Sequence, residues 1–71
     1  MIEIFENATI VYIDGVKERF DAIRMTAKRV ITGRIFKIDG AEEFKECGFI
    51  SRQNIKQIYN GSKRKIQRMK S

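Results

Sequence analysis

Two Asp-Gly pairs, Asp14-Gly15 and Asp39-Gly40, punctuate a chain that contains no proline. Each follows a short run dense in β-branched and aromatic residues, ATIVYI before the first and RVITGRIFKI before the second. Asp-Gly between such runs is a strong hairpin signal, because glycine accepts the positive φ that a tight turn needs. Without proline, nothing bars any of these segments from a central place in a sheet. A chain so punctuated is expected to be mainly β.

The segments themselves carry a second constraint. Residues 2–6 (IEIFE) alternate as a short strand, and Asn7 is placed to interrupt them before residues 8–13 continue. Residues 16–26 read as a second strand, in which Phe20 and Ala22 share one parity while Ile23 and Met25 take the other. A flat strand cannot send both sets to one core, because successive side chains alternate faces. A bulge or sharp bend near Asp21-Ala22 resolves the conflict. After a turn at Ala27-Lys28, residues 29–38 form a third strand with Gly33 at its middle, where Ile31 and Ile35 oppose Phe36 and Ile38 in parity. Long bent strands with a central glycine are how a small sheet curls around its own core.

Residues 41–60 can be read two ways. As strands, residues 43–50 pair back on the third strand, residues 51–54 make a tight turn of 3₁₀ type, and residues 55–59 form a short last strand. The pattern Gly48-Phe49-Ile50-x-x-x-Asn54-Ile55-x-x-Ile58 resembles the end of Sm-like and other SH3-like small barrels. There an apolar pair, a tight turn and a final Ile-x-x-Ile strand close the barrel. As helices, residues 41–47 and a second segment capped by Ser51, with Ile55, Ile58 and Tyr59 at i, i+3 and i+4, resemble the helix–turn–helix of phage-repressor-type DNA-binding domains. That resemblance would put residues 51–54 at the start of a recognition helix. The strand reading is preferred, since the preceding β segments need partners. It gives a small curled five-stranded antiparallel sheet or SH3-like barrel over residues 1–60. Residues 61–71 follow as a basic C-terminal tail or short helix.

The charge is distributed unevenly. The chain has 71 residues and a net charge of +6, yet no acidic residue occurs after Glu46. Seven basic ones do: Arg52, Lys56, Lys63, Arg64, Lys65, Arg68 and Lys70. Clustered Lys and Arg without acids attract phosphates and give salt-dependent, largely sequence-independent affinity. These seven are the candidate nucleic-acid-binding residues, with DNA or RNA as the electrostatic partner. The plainer alternative is a frayed tail whose charge only aids solubility. A third is a basic amphipathic helix on an anionic membrane surface, with Ile66 and Met69 on its apolar face. Tyr12 and Tyr59 are the candidate rings for base stacking, most of the phenylalanines being expected in the core.

The same composition argues against other chemistry. The chain has no histidine and one cysteine, Cys47. One chain therefore supplies neither a disulfide nor a Cys/His zinc site, and lacks the commonest general base. Cys47 is expected to be a small buried core residue. Asp14 and Asp39 are explained by their turns, and Glu42 and Glu43 by a solvated loop or edge. No phosphate-cradling glycine loop and no nucleophile elbow occurs. No enzyme activity and no cofactor is therefore expected. The acidic, cation-free start and the lack of a long apolar run predict neither a signal peptide nor a membrane span, hence a cytoplasmic protein. A 71-residue domain has a thin core. Homo-oligomerisation, or a protein–protein interaction through an open sheet edge, is the alternative role.

Overall fold

A computed structural model describes residues 2–69, with side-chain surroundings given through Gln67. Its elements are β1 (Ile2–Tyr12), β2 (Lys17–Met25), β3 (Arg29–Ile38), β4 (Ala41–Ser51), a 3₁₀ turn (Arg52–Asn54), β5 (Ile55–Tyr59), β6 (Ser62–Ile66) and β7 (Arg68–Met69). They form one curled sheet in the order β5-β1-β2-β3-β4-β7, with β6 also on β1. All pairings are antiparallel except the short one between β4 and β7. Among the described residues the hydrogen-bonded path does not close into a ring. The C-terminal segment nevertheless touches both sides of it, through β6 on β1 and β7 on β4.

The helical reading of residues 41–60 is corrected. The described residues contain no α-helix, and the stretch forms β4, the 3₁₀ turn and β5. β3 offers β4 a partner along its whole length, from Arg29↔Ser51 to Ile38↔Ala41, and that long-range ladder outweighs local helix propensity. A repressor-like recognition helix at residues 51–54 is thereby excluded. The sheet also has seven strands where five are expected, because part of the presumed tail is strand. Ile66 is 1 % exposed inside a core cluster, and β6 pairs β1 from Ile2↔Ile66 to Glu6↔Ser62.

The turns follow the local code. Asp39 and Gly40 both have positive φ (51° and 80°) between the paired residues Ile38 and Ala41, the signature of a type I′ hairpin. The first Asp-Gly makes a wider loop. There Gly15 alone takes the left-handed region, and the Asp14 carboxylate accepts a 3.0 Å bond from the Val16 N–H. Between β2 and β3 the Thr26 hydroxyl donates to the Arg29 carbonyl and accepts from the Arg29 N–H, closing the turn at Ala27-Lys28.

The parity conflict is resolved by two devices. In β1, Asn7 has φ 55°. The pairs Phe5↔Ile23 and Ala8↔Phe20 on either side of it keep one register. All four nevertheless pack in one cluster, with Ala8, Ile10, Ile23 and Val30 at its centre. Ile4 and Ala22 belong to the other cluster, with Phe44 and Ile66. The strands thus rotate together at Asn7 and Asp21 without slipping. In β4 the register shifts: Thr32 faces Gly48 while Gly33 faces Glu46, leaving Cys47 as the extra residue of a bulge. Gly33 makes this possible. A Cβ there would lie 2.2 Å from the Lys45 carbonyl oxygen and 2.8 Å from the Phe44 ring.

The same curl brings distant turns together. The Arg52 N–H donates to the Lys28 carbonyl and the Ile13 N–H to the Asn54 carbonyl, each at 3.0 Å. The three-residue turn therefore touches the loops at both ends of β2. A straight nine-residue strand would hold them roughly 26 Å apart, so β2 must bend.

Gly33→Ala tests this close approach. The backbone oxygen in the way cannot rotate aside as a side chain can. The substitution should cost about 1–3 kcal/mol or more, read as a lower urea midpoint.

Candidate nucleic-acid interface

Five of the seven basic residues singled out from the sequence lie on the 3₁₀ turn and the two strands that flank β1. Arg52 lies on the 3₁₀ turn, Lys56 on β5, and Lys63, Arg64 and Lys65 on β6. Because β5 pairs the C-terminal half of β1 and β6 its N-terminal half, these side chains follow the length of one strand. Lys70 and the Arg68 side chain lie outside the described residues.

Two of these cations are already engaged. The Lys63 ammonium is 3.3 Å from the Glu3 carboxylate. Arg64 sits on the inner face of β6, and its guanidinium donates to Glu6 of β1 and to both carboxylate oxygens of Glu42 of β4, at 2.5 Å. The hydrogen bond to Glu6, then that to Glu42, holds the Arg64 pKa above its ordinary value. Arg64 therefore clips the last long strand to both sides of the curled sheet and is not a free phosphate ligand. Lys63 belongs to an exposed pair that is weak and screened by salt, so it stays accessible to another anion. Arg52, Lys56 and Lys65 are exposed and have no ion pair among the described residues.

Several expectations about individual side chains are reversed. Cys47, expected in the core, is exposed at the bulge, where its thiol makes only a long 3.8 Å contact to the Lys45 carbonyl. Glu42 and Glu43, expected in a solvated loop or edge, lie on β4, where Glu42 is held by Arg64 and Glu43 is buried. Tyr12 packs against the core, and its hydroxyl donates to Glu18 at 2.7 Å. Tyr59 is half-buried, with the Lys17 ammonium 6.0 Å from its ring centre. The most exposed described ring is Phe49, at 59 %, with Arg29 stacked 4.9 Å from its centre.

The signal for Phe49 lay in parity. Adjacent residues of a regular strand face opposite ways, so Phe49 and Ile50 point to different faces of the sheet. Ile50 pairs with Val30 and joins the inner cluster, while Phe49 pairs with Ile31 on the other face. Which of the two turned inward depended on the bulge at Cys47, which no local pattern reveals.

No group of three or more His, Cys, Asp or Glu able to hold a metal ion occurs among the described residues. Among the described residues no helix is long and apolar enough to cross a membrane. No protein-family model, no curated protein and no solved structure matches this chain.

Burial, then the hydrogen bond to Glu18, pushes the Tyr12 pKa up to about 12 from the usual 10.0. A phenol whose folded-state pKa is raised favours the folded state below its unfolded pKa, and that advantage fades as pH rises from 10 towards 12. Stability of the native protein should therefore fall in that window. Tyr12→Phe should show a shallower decline in denaturant midpoint over the same pH range.

Proposed function

We propose that this chain is a small nucleic-acid-binding or accessory protein that engages DNA or RNA chiefly through phosphate contacts, on an SH3-like curled sheet. The scaffold reading is supported by the strand order β5-β1-β2-β3-β4, with a 3₁₀ turn leading into the last strand of that series. Function is carried by one observation: within residues 47–71, which contain no Asp or Glu, Arg52, Lys56 and Lys65 stand exposed without ion partners among the described residues. Cations left unpaired on the sheet meet a phosphate backbone without first breaking an internal salt bridge. Each such contact releases a counterion, which is the source of affinity and of its salt dependence.

Removing residues 61–71 is not a clean test, since it would delete β6 and the buried Ile66. Burial of an isoleucine stabilises by about 1.5–3 kcal/mol, a large share of what a domain this small has to spare. Point substitution is cleaner. Affinity for generic DNA or RNA should fall steeply with salt. Replacing Arg52, Lys56 and Lys65 together by Gln should lower it and make the log–log salt slope shallower by roughly two to three. Unchanged affinity and slope in the triple variant would reject the reading.

A protein–protein role has one specific observation in its favour. Among the described residues, β5 ends the hydrogen-bonded path and β7 pairs β4 only at Glu43 and Phe44, so β5 and the C-terminal half of β4 present open edges there. Open edges are templates for strand addition by a second copy. Light scattering across a concentration series should then report a mass above the monomer, insensitive to salt. A monomer throughout would remove this reading.

A further inference from the structure

We propose that one end of the sheet, where the turn at residues 26–29 meets residues 49–52, is a nucleotide subsite for single-stranded nucleic acid. An unpaired base would stack on the surface made by Phe49 and Arg29, with its phosphates held by Lys28 and Arg52. The subsite rests on the nucleic-acid reading above and adds to it a place, a strand state and residues that charge clustering alone did not suggest.

Backbone pairing brings the four residues to one end of the sheet. Arg29 opens β3 and pairs with Ser51 at the end of β4, so its guanidinium falls over Phe49, two residues earlier on β4. The bond from the Arg52 N–H to the Lys28 carbonyl, 3.0 Å long, joins the two segments and places Lys28 and Arg52 side by side. Thr26, Ala27, Lys28, Arg29, Phe49 and Ser51 line a shallow depression at this end. The Phe49 ring is 59 % exposed although burying a phenylalanine normally favours folding by about 1.5–3 kcal/mol. An aromatic ring open to solvent with a guanidinium 4.9 Å from its centre forms a platform for a base.

Electrostatics selects this end over the other. Residues 22–38 and 47–71 contain no Asp or Glu, so both contributing segments are acid-free. None of Lys28, Arg29 and Arg52 has an ion pair among the described residues. The chain's other exposed ring, Phe36 at 42 %, also has a cation near it, Lys45 at 6.0 Å. Yet its partner strand carries Glu42, Glu43 and Glu46, and the adjoining turn Asp39. A phosphate arriving there would meet carboxylates. Stacking needs an exposed base face, which a duplex does not offer away from its ends, so the subsite favours single strands.

Fluorescence anisotropy with a short labelled oligothymidylate and with a duplex of equal length tests this. Phe49→Ala should weaken single-strand binding by roughly five- to 150-fold, the range for loss of one stacked base, and leave duplex binding unchanged. Phe49→Trp introduces the only tryptophan of the chain. That variant should bind the oligonucleotide at least as well as the native protein, with its emission quenched on binding. If the native protein binds the single strand while Phe49→Ala binds it equally well and the Trp emission does not respond, the subsite is wrong and the charge-based reading survives. If the native protein binds neither probe at low salt, both fall.

Discussion

A single sheet can enclose a core only if its strands turn, and here the turning is done by a few residues. Asn7 takes a left-handed conformation in β1, β2 rotates with it at Asp21, and Gly33 lets β4 approach closely enough to form the bulge at Cys47. These devices let Phe5 and Ala8, or Phe20 and Ile23, share one apolar cluster despite opposite parity. Everything else in the molecule depends on that curl: the meeting of the two loops of β2 at the 3₁₀ turn, the outward face of Phe49, and the approach of β6 to β4.

The C-terminal segment is part of this construction. Ile66 completes the cluster around Ile4, Ala22 and Phe44. Arg64 ties β6 to carboxylates on β1 and β4, strands far apart in the sheet order. A run that looks like a uniform block of positive charge is thus divided by strand alternation. Arg64 turns inward to hold the fold, while its neighbours Lys63 and Lys65 face solvent. A basic cluster read from composition overstates the charge available to a ligand when some of it is spent internally, and this chain shows the effect residue by residue.

The free cations and the exposed ring are consequently distributed differently from the sequence clustering. Arg52 links two regions: it belongs to the acid-free C-terminal third and also lies against Lys28, at the end where Arg29 covers Phe49. The tyrosines, whose polar tips made them the natural candidates for surface stacking, are held instead. Tyr12 is tied to Glu18 and the core, and Tyr59 is half-buried beside Lys17.

The sequence by itself determined the local features. It specified the type I′ turn at Asp39-Gly40, the bend near Asp21-Ala22, the strand at residues 29–38 and the short turn before Ile55, whereas the expected break at Asn7 is a left-handed residue inside one continuous β1. Each of these follows from the conformational preference or parity of neighbouring residues. The tertiary structure alone decided which of Phe49 and Ile50 faced the core, that Cys47 is exposed and Glu43 buried, and that residues 62–66 are a strand. It also paired Arg64 with Glu6, 58 positions away, and with Glu42. Such outcomes depend on which strand lies alongside and in what register, and a register between distant segments is fixed only when the whole sheet curls onto its core.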